Sequence, residues 1–184
     1  MKKILIGMAA RFVEDKLQDM LIDLVSDNKE YLLQKNCFIL LAGDGSTLDS
    51  LKKKVLLLKL QKNIIFNGNL SEKKIINWFK KLDLYVHLSK DETTSTSILQ
   101  AMSTGLPIIA SKVGGNTMLL KSDGNKRNII LVPNDRKKIF KTIRECLNNK
   151  KKMAELSKFS REMTINYFSN NKMFENYEKL ITRS

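Results

Sequence analysis

The chain has 184 residues, 42% of them hydrophobic and 28% charged, the balance of a folded globular domain and not of a disordered segment. Its 33 lysines and arginines against 19 carboxylates give a net charge of +14, which favours an anionic partner: a nucleotide, a nucleic acid or an anionic membrane surface. No apolar run has the length of a membrane span, and the two cysteines, Cys37 and Cys146, lack metal-ligand or redox spacing and read as buried reduced thiols.

In chain order, the first apolar run is Ile4–Ala9. With Lys2 and Lys3 before it, the start has the outline of a signal peptide, but Arg11, Glu14 and Asp15 end the run, so a strand is predicted. Leu17, Met20, Leu21, Leu24 and Val25 then recur at helical spacing. Asp15, Asp19, Asp23 and Asp27 share one face of that helix, as a metal-binding stripe or, the favoured reading, as a solvated face opposite the leucines. Cys37–Ala42 and residues 64–66 read as strands, each followed by a helix, over 48–60 and 72–81; Trp78 and Phe79 in the second are assigned to the core. Residues 84–88 form a further strand, 97–104 a helix, and 107–110 and 129–132 the last two strands. Beyond Val132 the pattern is helical: Ile139, Phe140, Ile143 and Leu147; then Leu156, Met163 and Tyr167; then Met173, Phe174, Tyr177 and Ile181, with a change of helix at 168–171. The basic runs at 52–54, 136–138 and 150–152 read as solvated helix faces. Strands alternating with helices predict an α/β fold, a doubly wound parallel sheet covered on both sides, with extra helices at the C-terminus.

Ligands of such sheets sit at the carboxyl ends of the strands. Four segments are expected there: 10–16, 43–47, 67–70 and 90–97. Arg11 and Lys16 could hold a diphosphate, Arg11 as a fork and Lys16 as a point charge; spacing alone leaves an ordinary pair of surface cations equally open. Gly43, Asp44 and Gly45 make a tight strand-to-helix turn that lets backbone approach closely, without the pattern of a phosphate loop. Glu92 stands before small hydroxyl residues that open a helix, and a helix N-terminus with free N–H groups suits an anion. His87, the chain's only histidine, ends a strand before that loop and reads as packed or hydrogen-bonded in preference to a catalytic base, since no nucleophile is arranged around it. The chain contains no Asp-x-Asp pair, which disfavours a metal-dependent route to a nucleotide sugar.

Six motifs in order, residues 11–16, 41–45, 65–68, 92–102, 105–111 and 113–116, resemble the C-terminal, donor-binding half of retaining family 4 glycosyltransferases of GT-B fold. The resemblance spans residues 4 to about 177 and is nearest to bacterial enzymes that build capsule, O-antigen and related surface glycans. It implies a Rossmann-like donor domain over 1–168 and a C-terminal helix over 169–184 that leans toward an acceptor-binding N-terminal domain outside this chain. Arg11 and Lys16 match the basic pair that neutralises the departing diphosphate in place of a metal ion, and no cofactor is implied beyond the nucleoside-diphosphate sugar itself. Glu92 matches the glutamate that holds donor-sugar hydroxyls. Thr93, Thr94 and Ser95 match the loop facing that sugar. Ser97, Ile98 and Leu99 would offer N–H groups to the phosphates, and Asn67 and Gly68 would lie near the base.

Two departures follow. Gln100 stands where the family has a second glutamate for the ribose, and the loop after Glu92 has hydroxyl residues where glycines and an aromatic are common. The implied activity is transfer of a hexose to a glycan or lipid-linked acceptor, cytoplasmic or peripheral to the inner face of a membrane, with the isolated chain inactive. The alternative is a non-catalytic nucleotide or glycan-binding module with a degenerate site, supported by Gln100. Nucleic-acid binding rests only on charge and lacks a stacking platform.

Overall fold

The computed structural model describes residues 2–182. In chain order it contains β1 (Ile4–Ala9), a 3-10 turn (Glu14–Lys16), α1 (Gln18–Asp27), α2 (Lys29–Gln34), β2 (Cys37–Ala42), α3 (Leu48–Leu57), β3 (Ile64–Gly68) and α4 (Glu72–Phe79). Next come β4 (Leu84–His87), α5 (Thr96–Ser103), β5 (Ile108–Ser111), α6 (Gly114–Met118), β6 (Ser122–Asp123), β7 (Lys126–Arg127) and β8 (Ile130–Val132). Three helices finish the described chain: α7 (Arg136–Asn148), α8 (Lys150–Tyr167) and α9 (Asn170–Ile181).

Six strands form one sheet in the order β3-β2-β1-β4-β5-β8, with every neighbouring pair parallel. The strands read as unbroken apolar runs because both faces are buried, and alternate residues serve different cores. Ile6, Met8, Ile39, Leu41, Leu84 and Val86 pack toward α1, α3 and α7, among Leu21, Leu51 and Ile143. Leu40, Ala42, Tyr85, Ile108 and Ala110 pack the other way, onto Trp78 and Phe79 of α4 and Ile98, Ala101 and Met102 of α5. The expected α/β sheet, doubly wound and Rossmann-like, is therefore the observed one.

Strand order reverses at β1, which has β2 on one side and β4 on the other. A crevice opens at such a switch point, between the loops that leave the carboxyl ends of the two strands. Here those loops are residues 10–17 and 88–95.

The boundaries differ in detail from the sequence reading. The 64–66 strand runs on to Gly68, and the last strand begins at Ile130. The first helix breaks at Asn28, whose side chain caps back onto the Leu24 carbonyl at 2.8 Å, and a short second helix follows. The β6–β7 hairpin is polar and exposed, so no apolar alternation marks it. The aspartate stripe is a neutralised face: Lys54 bridges Asp19 and Asp23, and Arg136 reaches Asp23 at 3.5 Å and Asp27 at 3.2 Å. Cys37 and Cys146 are buried free thiols.

Helix α8 closes the C-terminal end of α5, with Ser157 Oγ donating to the Gly105 carbonyl and Arg161 to the Ser103 carbonyl. Helix α9 buries none of its residues and exposes Met173, Phe174, Tyr177, Leu180 and Ile181. Arg183 and Ser184, the end of the 169–184 segment, lie outside the described residues, as does Met1 of the 1–168 segment. No helix among the described residues is long and apolar enough to cross a membrane.

Candidate functional site

Backbone hydrogen bonds tie the four expected loops together. Phe12 N–H donates to the Asp44 carbonyl at 2.8 Å, and Thr47 N–H to the Phe12 carbonyl at 3.0 Å. Gly43 N–H donates to the Gly68 carbonyl at 2.8 Å, and Lys90 N–H to the Asp15 carbonyl at 2.8 Å. The glycines of the 43–45 turn make these contacts fit: a Cβ on Gly43 would stand 2.0 Å from the Ala10 carbonyl oxygen, and one on Gly45 2.4 Å from that of Phe12. The close backbone approach is to the protein's own 10–13 loop.

The loop carrying Glu92 is fixed from below by the 113–116 motif. Gly115 N–H donates to the Glu92 carbonyl, and a Cβ on Gly115 would overlap the Thr93 carbonyl oxygen at 1.4 Å. Ser89 Oγ donates to the Asp91 carbonyl at 2.6 Å, and Glu92 N–H to Asp91 Oδ1 at 2.8 Å. From the facing loop comes Lys16, at the end of the 3-10 turn. Leu17 after it takes a left-handed conformation, φ 49°, which costs a non-glycine residue about 1 kcal/mol. Strain of this size at a loop residue points to a constraint at this end of the sheet.

Lys16 Nζ lies 2.6 Å from Glu92 Oε1, with both side chains largely buried. His87 Nε2 reaches the same oxygen at 2.7 Å. Burial alone would raise the Glu92 carboxyl; the hydrogen bonds and charge of His87 and Lys16 outweigh it and hold the group down to about 2. Glu92 is therefore ionised at neutral pH, and Lys16 is already engaged with it.

Beside this cluster, Ala9, Arg11, Gly43, Asp44, Ser97 and Gln100 line an open cleft of about 530 Å³, with Asn69, Leu70 and Glu72 on its far side. The guanidinium of Arg11 forms no ion pair among the described residues. Of the helix-start amides, two are in use: Ile98 N–H donates to Ser95 Oγ at 3.3 Å and Leu99 N–H to the Ser95 carbonyl at 3.2 Å. The expectation that Ile98 and Leu99 offer free N–H groups is corrected, because Ser95 caps the helix. At the helix start, the N–H groups without an acceptor among the described residues are those of Thr96 and Ser97. Asn67 Oδ1 accepts from Trp78 Nε1 at 2.8 Å, while the Gly68 carbonyl holds Gly43. Those two shape the loop, and Asn69 and Leu70 after them line the cleft. Thr93 and Thr94 are exposed on the rim.

His87 is buried and hydrogen-bonded, as the sequence reading favoured. Its position after an apolar run fits a packed histidine; only the return of the loop brings Glu92 onto its ring.

The chain matches the family of glycosyl transferases group 1 over residues 1–163. It is 31% identical over 160 residues to Protein CapJ of Staphylococcus aureus, covering 83% of this chain and 38% of that protein. The fold superposes on Anabaena Alr3699/HepE, crystallised with UDP, at a TM-score of 0.86 and 21% identity, over 99% of this chain and 49% of that one. It also superposes on the C-terminal domain of LpcC, a glycosyl transferase group 1 family protein of Francisella tularensis, at a TM-score of 0.77 and 23% identity, over 91% and 87% of the two chains. The chain spans less than half the length of CapJ and of HepE. It belongs to the glycosyl transferases group 1 family and has the fold of the C-terminal half of a GT-B enzyme.

Proposed function

We propose that this chain is the donor-binding half of a retaining, metal-independent glycosyltransferase. It moves a hexose from a nucleoside-diphosphate sugar to a glycan or lipid-linked acceptor in surface-polysaccharide synthesis, on the cytoplasmic side of a membrane. The observation that carries the reading is the Lys16–Glu92 pair at the switch point of the sheet, with the Arg11 cleft and the start of α5 beside it. An ionised carboxylate accepts hydrogen bonds from sugar hydroxyls. Arg11 and Lys16 supply positive charge where the diphosphate leaves, and the Thr96 and Ser97 N–H groups add donors for its oxygens. Gln100 offers an amide to the ribose. The UDP bound to HepE, a structure of the same fold, supports a nucleoside diphosphate as the ligand.

On this reading an N-terminal domain supplies the acceptor-binding half, and the exposed apolar face of α9 leans toward it. Gln100 in place of a glutamate favours one other reading, a binding module that no longer transfers. Assays of sugar transfer separate the two. The chain joined to an acceptor-binding domain is expected to transfer hexose with retention, and the purified chain alone to give none. Robust transfer by the chain alone contradicts the half-site reading, and an inactive joined enzyme that still binds donor favours the module.

A further inference from the structure

Glu92 is held in an asymmetric way. Lys16 Nζ and His87 Nε2 both converge on Oε1, and Oε2 has no hydrogen-bond partner among the described residues. An ionised carboxylate can only accept, so the His87 nitrogen facing it carries a proton. The ring is gripped from its other edge as well. His87 Nδ1 lies 3.1 Å from the Tyr85 hydroxyl, which itself donates to the Ala9 carbonyl at 3.0 Å or to the ring, and accepts from Ala9 N–H at 3.3 Å. Tyr85 is wholly buried against Phe79 and cannot swing away. Ser95 Oγ, the cap of α5, is 3.3 Å from His87 Nε2 and links the ring to the helix start.

Such a chain of contacts exceeds what a packed histidine needs. It runs from the end of β1, through Tyr85 and His87 of β4, to one oxygen of a carboxylate at the crevice. We infer that His87 is a positioning residue for the donor sugar: backed by Tyr85, its Nε2–H pins Glu92 Oε1 together with Lys16, so that Oε2 stays aimed for a sugar hydroxyl. Without the histidine, Glu92 keeps its charge partner Lys16 but loses the second point that sets the plane of its carboxylate. A lysine on a flexible stem holds charge well and direction poorly. The contribution is therefore to reading the hexose, and Arg11, which faces the diphosphate, has no contact with the ring.

This inference rests on the donor-binding reading, and calorimetric titrations with UDP, GDP and their hexose conjugates tell the two apart. In the wild type, the hexose is expected to add affinity over the bare diphosphate. His87→Leu is expected to weaken the sugar nucleotide by about tenfold, roughly one lost hydrogen bond to a charged group, with the bare diphosphate unchanged. His87→Gln, whose amide nitrogen reaches where Nε2 stands, is expected to retain most of the affinity. Equal weakening of both ligands by His87→Leu, or no weakening of either, overturns the inference while leaving the donor reading standing. A wild-type chain that binds no nucleoside diphosphate overturns the donor reading and the inference together. If His87→Leu does not fold, Tyr85→Phe decides. A smaller loss confined to the hexose conjugate supports the inference, and an equal loss or none removes it. Because His87 is the chain's only histidine, one long-range ¹H–¹⁵N spectrum reads its ring directly. A proton on Nε2 is expected, and a ring protonated at Nδ1 alone contradicts the geometry.

Discussion

Glu92 is the residue on which the site turns, and its charge state is a stability statement as well as a functional one. The carboxyl is held at about 2 in the folded chain against an ordinary 4.5. A group held down in the folded state stabilises fully above its unfolded value, and that contribution is lost as pH falls through the window from about 4.5 to about 2. Glu92→Gln removes the titration. Urea midpoints of wild type and Glu92→Gln are therefore expected to differ most near neutral pH and to converge toward pH 2; a gap constant across that range contradicts the assignment. Glu92, Arg11 and Lys16 were singled out by resemblance, since spacing alone left Arg11 and Lys16 equally open as surface cations; the 2.6 Å contact of Lys16 with Glu92 is made between two loops and has no sequence signature. His87 was read as packed or hydrogen-bonded, which it is; that its partner is Glu92 was not legible, since the contact is made across a loop. Ile98 and Leu99 were over-read: sequence marks a helix start, but not which N–H groups its own cap consumes.

At the scale of elements, the interior strands were readable as apolar runs because helices cover both faces of the sheet. The short pieces were not: α2, α6 and the β6–β7 hairpin are set by single turns and carry no periodicity of their own. The glycines explain what holds the loops in place. Gly115 has the Thr93 carbonyl where a side chain would begin, so Gly115→Ala must push the 92–95 loop outward. Its unfolding free energy is expected to fall by about 1–3 kcal/mol in chemical denaturation, the range of overpacking. Donor affinity is expected to fall with it, since Glu92 rides on that loop. A variant as stable as wild type shows that the loop yields freely and is not a fixed platform. The Asp135 side chain caps α7 by accepting from Lys138 N–H at 2.8 Å, and neither residue lines the cleft beside Arg11. Asp135→Ala is expected to cost about 1 kcal/mol of stability and leave nucleotide binding intact; a matching loss of binding places α7 in the site.

Across the whole molecule, two surfaces stand out: the basic exterior, at +14 overall, and the apolar face of α9. Phe174 and Leu180 are 60% and 69% exposed on a helix that buries nothing, which suits a surface made to be covered. With that face uncovered the chain is expected to self-associate as concentration rises, and Phe174→Glu with Leu180→Glu to suppress this in sedimentation velocity without altering donor affinity. Unchanged association places the contact elsewhere. The charge raises a sharper question, because a strongly basic chain attracts any anion. Titration with the nucleoside diphosphate that binds, at two salt concentrations, separates a built site from a general field. Arg11→Ala and Lys16→Ala are each expected to weaken binding at least about tenfold, the loss of a charge-assisted contact. Removing equal charge at Lys52 and Lys53, on the outer face of α3, is expected to change affinity little. Binding that falls equally for both pairs, or survives the loss of Arg11 and Lys16, contradicts the account.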